Sequence, residues 1–237
     1  MKCNVCENVI TKFVERKRPD GSISIECPIC KSYRRHRALV AGFQQFWTKD
    51  EIRIFDIGPH ASLVRYFKKI EDAKFGFNYF AADIRPNING VHTLDIQKDD
   101  HSIAPVDVVI CLHVLEHCLY DYKALETIRN SMKTTGTLIL EVPLKQGKTD
   151  RGDGDRKFEV RKGENGRFTK EVVGIVLQEE ERLKRYADRT HYRYYGEDDI
   201  LSLLDECGLV GYFHRVAKEE EFGIEVSHRF IIATLKP

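Results

Sequence analysis

From residue 51 onward the chain alternates short apolar runs with stretches of helical period, and few architectures accept that alternation. The runs are IRIFDIG (52–58), NYFAADI (78–84), GVHTLDI (90–96), VDVVICLHV (106–114) and TGTLILEVP (135–143). Between and after them, SLVRYFKKI (62–70), DYKALETIRNSMK (121–133) and EDDILSLLDECG (197–208) place apolar residues at helical spacing. A last pair, GLVGYFHRVA (208–217) and EVSHRFIIATLKP (225–237), completes the set. Strand–helix–strand units of this kind build a parallel sheet covered on both faces. The expected fold is therefore α/β, a doubly wound, mostly parallel seven-stranded sheet over residues 51–237.

Ligands of such sheets bind at the carboxyl ends of the strands. The first strand ends in Asp56 and Gly58, the second in Asp83 with Ile84, the third in Asp95 with Ile96, and the fourth in Cys111-Leu112-His113. Three carboxylates at successive strand ends are costly to keep unless a ligand uses them. Asp83 stands 25 residues beyond Gly58, about where an acidic side chain grips a ribose diol. Asp95 is placed to accept from an adenine amino group. The first turn, GPHASL, has one glycine where a dinucleotide loop has three. A pyrophosphate needs backbone close on several sides; S-adenosylmethionine has no phosphate and needs a single close approach. The acidic surroundings also suit its cationic sulfonium. The cofactor contacts expected are Asp56, Gly58, Asp83, Ile84, Asp95, Ile96, Cys111 and Leu112.

The front of the chain has a different character. Cys3-x2-Cys6 and Cys27-x2-Cys30 have the spacing of a structural Zn²⁺ site, and four thiolates would leave no coordination position open. Pro19-Asp20-Gly21 reads as the turn of a hairpin bringing the two pairs together. Residues 1–31 are thus expected to form a zinc ribbon and residues 32–50 a connecting helix. Ser32 is its expected N-cap, His36 lies on the apolar face with Leu39 and Phe43, and Arg34 and Arg37 are read as a solvated face. Residues 1–49 carry 10 Lys+Arg against 4 Asp+Glu, while the whole chain has net charge +1. The remaining cysteines, Cys111, Cys118 and Cys207, fall in predicted core or helix, as free thiols do in a reducing, cytoplasmic compartment. No apolar run approaches 18 residues, so no membrane segment is expected.

Residues 145–190 fit no strand. A Gly- and charge-rich tip precedes TKEVVGIVLQEEERLKRYAD (169–188), read as helical, and the whole insertion is read as a lid over the acceptor side. For proton removal the candidates are His113, placed first, with Glu116, His117 and His191; Glu116 and His117 are also read as beginning the next helix and capping or orienting it. His191, Arg193 and Tyr195 alternate after the insertion and are candidates to line an acceptor pocket.

DIGPHASL, AADIRPN, TLDI and the long stretch from ICLHVLEH to LILEVP resemble the successive motifs of class I S-adenosylmethionine-dependent methyltransferases. HYRYYGEDDILSLLDECGL is similar to the segment preceding that family's last strands. The resemblance implies a Rossmann-like domain that transfers a methyl group. A four-cysteine module precedes the domain both in some ribosomal-RNA methyltransferases and in some sugar C-methyltransferases, so it selects no substrate. Three readings follow: a methyltransferase for a small-molecule or sugar-like acceptor; an RNA base methyltransferase whose zinc module, with Arg34, Arg35 and Arg37, recognises RNA; and a non-catalytic cofactor-binding module. The oligomeric state is not readable.

Overall fold

The computed structural model describes residues 1–17, 23–46, 51–98, 103–149, 157–162, 168–174, 191–224 and 227–237. Strands β1 (Val14–Lys17) and β2 (Ile23–Glu26) form the expected antiparallel hairpin. Helix α1 (Arg34–Phe46) follows, then β3 (Ile52–Ile57), α2 (Ala61–Ala73), β4 (Phe77–Asp83), β5 (His92–Thr93) and β6 (Val106–Leu112). A 3-10 turn at Leu115–His117 leads to α3 (Asp121–Ser131), β7 (Met132–Glu141) and β8 (Leu144–Lys145). After β9 (Lys157–Lys162) and β10 (Phe168–Gly174) come β11 (Tyr195–Gly196), α4 (Ile200–Glu206), β12 (Leu209–Val216) and β13 (His228–Leu235).

The central sheet has seven strands in the order β12-β13-β7-β6-β3-β4-β5. Strands β3 to β7 run parallel, and β13 joins antiparallel to β7 and β12. This is the expected doubly wound sheet, and its order reverses beside β3. The interior strands are nearly continuous apolar runs, because both faces are covered. One face packs on α3 and α4 through Phe55, Leu125, Ile128 and Leu204. The other packs on α1 and α2 through Ile54, Leu39, Phe43 and Phe67. Each such side chain removed from water contributes about 1.5–3 kcal/mol.

That second face also contains Cys3, Val5, Ile10, Cys27 and Cys30. The four-cysteine module is therefore continuous with the core of the sheet domain. Its seam is closed by Arg37, expected to be solvated but completely buried. The Arg37 guanidinium donates to the carbonyls of Ser32 (2.6 Å), Phe222 (2.6 Å), Gly223 (3.2 Å) and Ile25 (3.3 Å) and lies over the Phe13 ring. A planar fork with five donors can satisfy several carbonyls at once, which the helical-wheel argument did not consider. Ser32 also departs from expectation. Its hydroxyl lies 3.2 Å from the Cys30 sulfur and 3.5 Å from that of Cys3, while the Tyr33 N–H donates to His36 Nδ1 at the start of α1. His36 is buried, as its position on the apolar face implied.

Three further readings change. Of GVHTLDI only His92–Thr93 pair as strand, because Asp95 turns back to accept the Gln97 N–H and so ends the ladder. In the insertion, β9 and β10 form an antiparallel hairpin. Residues 169–174 are thus strand and not helix, in keeping with the β-branched Thr169, Val172 and Val173; the expected helix over 175–188 lies outside the described residues. Glu116 and His117 sit in the 3-10 turn, four residues before α3 begins. No described helix is long and apolar enough to cross a membrane.

Candidate functional site

Two cavities open at the carboxyl ends of the central strands. The larger, of about 580 Å³, is lined by Gly58, Asp83, Ile84, Asp95, Ile96 and His113, and reaches His117 and Tyr192. The smaller, of about 180 Å³, is lined by Arg35, His36, Asp56, His60 and Leu112. Gly58 and His113 line both.

Gly58 has φ +62°, and a Cβ there would meet Val114 Cγ2 at 2.6 Å. Only glycine suits both the backbone and the gap. His60, occupying a position where a dinucleotide loop has glycine, caps α2: its Nδ1 accepts from the Ser62 N–H at 3.3 Å. That role requires a neutral ring. Burial, with Arg35 and Arg65 nearby, holds His60 down at about 4. The ring stacks on His36 at 4.4 Å.

Asp83 accepts the Arg85 N–H through Oδ1, an arrangement that fixes its carboxylate at the cavity edge. Asp56 is fully buried, accepts from Tyr79 Oη at 2.7 Å, and is pushed up to about 7 by burial. It borders the smaller cavity and not the larger one. Cys111 packs in the core and borders neither cavity, because alternation along β6 turns it away from the ligand end.

His113 follows β6 with φ +56°, a left-handed conformation rare outside glycine but less so for His. Its N–H donates to the Glu141 carbonyl at 2.8 Å. The ring lies between two carboxylates: Nδ1 is 3.1 Å from Glu116 Oε1 and Nε2 is 3.2 Å from Glu141 Oε1. Burial alone would depress the imidazole, but Glu116 and Glu141 hold it up to about 9. Glu141 would be raised by burial, yet His113 and His228 hold it at about 2.

The segment after the insertion is bolted to the 3-10 turn. The Tyr192 N–H donates to the Glu116 carbonyl at 2.8 Å. Arg193, completely buried, donates to the carbonyls of Cys118 and Leu119 and pairs with Asp121 at 3.2 Å. Tyr195 Oη lies 3.3 Å from the Leu115 carbonyl. Arg193 and Tyr195 are thus structural, and Tyr192 is the residue that lines the cavity. His191 stands edge-on to His117, with ring centroids 4.6 Å apart. Sequence reasoning took Arg35 only as part of an RNA-recognising cluster, whereas it lines the smaller cavity, and it missed roles for His60, Glu141, Tyr192 and His228. Only Glu141 left a signal, a carboxylate closing the apolar run LILEV.

The sulfurs of Cys3, Cys6, Cys27 and Cys30 lie within 4.8 Å of one another, Cys3 and Cys30 at 3.7 Å and Cys6 and Cys27 at 3.9 Å. Tetrahedral Zn–S bonds of about 2.3 Å require sulfur separations of about 3.8 Å. The cluster fits that ion, and these separations far exceed a disulfide bond.

A family model described as a methyltransferase domain matches residues 31–212. No curated protein sequence matches the chain. Among solved structures, a chain described as a methyltransferase, in complex with the Haloferax volcanii Trm112 methyltransferase activator, superposes with a TM-score of 0.52 at 12% identity, covering 86% of this chain and 91% of that one. The mitomycin 7-O-methyltransferase MmcR gives 0.51 at 15% identity, covering 85% of this chain and 53% of that one. The (4+2)-cyclase SpnF gives 0.51 at 9% identity, with 99% and 90% covered. At such identities these structures share a fold, and a shared fold does not fix a reaction.

Proposed function

We propose, since this chain belongs to the methyltransferase-domain family and is an S-adenosylmethionine-dependent methyltransferase, that it methylates a small-molecule acceptor and carries a structural Zn²⁺ on Cys3, Cys6, Cys27 and Cys30. In this reading the adenosine half of the cofactor occupies the larger cavity. Asp83 takes the ribose hydroxyls, Asp95 the adenine amino group, and Ile84 and Ile96 flank the base. The amino-acid end enters the smaller cavity, with Arg35 for its carboxylate and Asp56 below its ammonium group. The methyl group then belongs at the junction, beside Gly58 and His113, the two residues common to both cavities. Positioning supplies most of the rate in such an in-line displacement. His113, with Glu116 behind it, is the candidate to touch the acceptor.

The observation that carries the small-molecule reading is the burial of Arg37. One of the three arginines that would have recognised RNA is locked onto backbone carbonyls. The insertion is proposed as the acceptor-side cover, because Tyr192, just after it in the chain, lines the larger cavity.

The test is labelling of fractionated cell extract with isotopic S-adenosylmethionine, before and after ribonuclease. Label recovered in small molecules and unaffected by ribonuclease is expected. Label lost on ribonuclease treatment would transfer the assignment to RNA, and a steep salt dependence of binding would accompany that result. Cofactor binding without transfer to any fraction would leave the binding-module reading.

A further inference from the structure

The structure holds a second cluster of metal-ligating side chains, away from the four cysteines. One ligand atom each from Glu116, His117 and His191 lie within 4.8 Å of one another. We infer that these three residues bind a divalent transition ion at the edge of the cofactor cavity, and that this ion takes an ionisable oxygen acceptor such as a phenol, enol or hydroxy acid. The acceptor half of this inference rests on the methyltransferase reading; the ion half does not.

Glu116 is the independent observation. Its carboxylate is completely buried. Oε1 faces His113 Nδ1 at 3.1 Å, and Oε2 accepts no hydrogen bond from any described residue. A buried carboxylate with an unused oxygen is expensive, and a cation at that oxygen removes the cost. Two histidines and one carboxylate are a donor set for Zn²⁺ or Fe²⁺. Three protein ligands leave coordination positions open, in contrast to the closed cysteine site.

The arrangement is also preorganised. Glu116 and His117 are adjacent in a 3-10 turn, while His191 arrives from 74 residues further along the chain. Its approach is fixed by the bond from the Tyr192 N–H to the Glu116 carbonyl and by the buried Arg193 clamp on Cys118, Leu119 and Asp121. Ligands held by contacts of this kind do not have to be gathered by the ion. His117 lines the larger cavity, and Glu116 touches His113 at the junction where the methyl group belongs. A Lewis acid here lowers the pKa of a bound hydroxyl and orients its oxygen.

The experiment uses the full chain with its cysteine site filled by zinc, titrated with Co²⁺ and followed by equilibrium dialysis and visible spectroscopy. Cobalt on nitrogen and oxygen ligands lacks the intense thiolate charge-transfer band that cobalt on cysteines shows. One equivalent of cobalt beyond the zinc is expected, without that band. His117→Ala and His191→Ala should each weaken it at least tenfold, with melting temperatures confirming that both variants are folded. His117 is exposed, so its variant should fold even if Glu116→Gln does not. No second equivalent in the native chain, a second equivalent with thiolate bands only, or unchanged affinity in both histidine variants would overturn the site. S-adenosylhomocysteine binding, measured separately by calorimetry, distinguishes failure of the metal site from failure of the methyltransferase reading.

Discussion

Gly58 and Val114 meet across the junction of the two cavities, so closely that a methyl group on Gly58 would stand 2.6 Å from Val114 Cγ2. Gly58→Ala therefore combines left-handed backbone strain, about 1 kcal/mol or more, with displacement of a residue that lines the larger cavity. Affinity for S-adenosylhomocysteine should fall more than about tenfold, near 1.4 kcal/mol. Adding Val114→Ala should recover part of the loss but not all of it, since the strain persists. Calorimetry on the single and double variants checks this.

Asp83→Ala should cost about 1–3 kcal/mol of cofactor-product affinity, because ribose donors are left unpaired. His113→Ala should behave differently, leaving that affinity within a few-fold while turnover drops much further. Equal effects of the two variants on binding and turnover would contradict the division between adenosine and methyl ends.

Arg37→Met strands backbone carbonyls of four residues, drawn from the module, α1's approach and the 222–223 turn. Denaturant unfolding should show a loss of about 3 kcal/mol. RNA affinity, if any is measured, should not respond specifically to this change.

Purified chain should retain one chelator-resistant zinc, and Cys27→Ser should release it. Because Cys27 shares a core with Leu39, Leu63 and Phe67, the variant should lower the melting temperature of the whole domain and not of the first 31 residues alone. Elemental analysis paired with calorimetric melting decides between these.

His60 gives a pH signature. Its folded-state value lies near 4, below the ordinary 6.5, so the neutral ring stabilises the fold above about pH 6.5, and that stability drains away as pH falls toward 4. His36, also held well below its ordinary value by burial, contributes in the same direction. His60→Asn keeps a capping side chain and removes one titration. At each pH between 6.5 and 4, the melting temperature of this variant in zinc-containing buffer should decline less than that of the native chain.

The sheet was legible because residues that pack on two faces leave long apolar runs, and Asp83 and Asp95 were legible because carboxylates interrupt such runs. Gly58 was found for a similar reason. What periodicity could not show was how polar side chains are satisfied. Arg37 looked like surface because its partners are backbone carbonyls, which carry no sequence signature. Cys111 was assigned to the site by its position at a strand end, but one step of β alternation turns it inward. Tyr192 was passed over in favour of Arg193, since the segment's register depends on the Arg193–Asp121 pair, whose members are 72 residues apart. The smaller cavity needed α1 to lie against the first turn, a long-range packing event that brings Arg35 to Gly58.

The two ends of the insertion are tied together at its base. Leu144–Lys145 pair in parallel with Tyr195–Gly196, Thr149 Oγ1 donates to Asp199 Oδ1 at 2.5 Å, and the Gly196 N–H donates to Thr149 Oγ1 at 3.0 Å. Chain closure at this point is already secured by the domain, so what lies between can lengthen, shorten or change composition at little thermodynamic penalty. The base works as a socket and the insertion as an exchangeable cassette. An engineer could graft a foreign segment between Thr149 and His191 by the same logic.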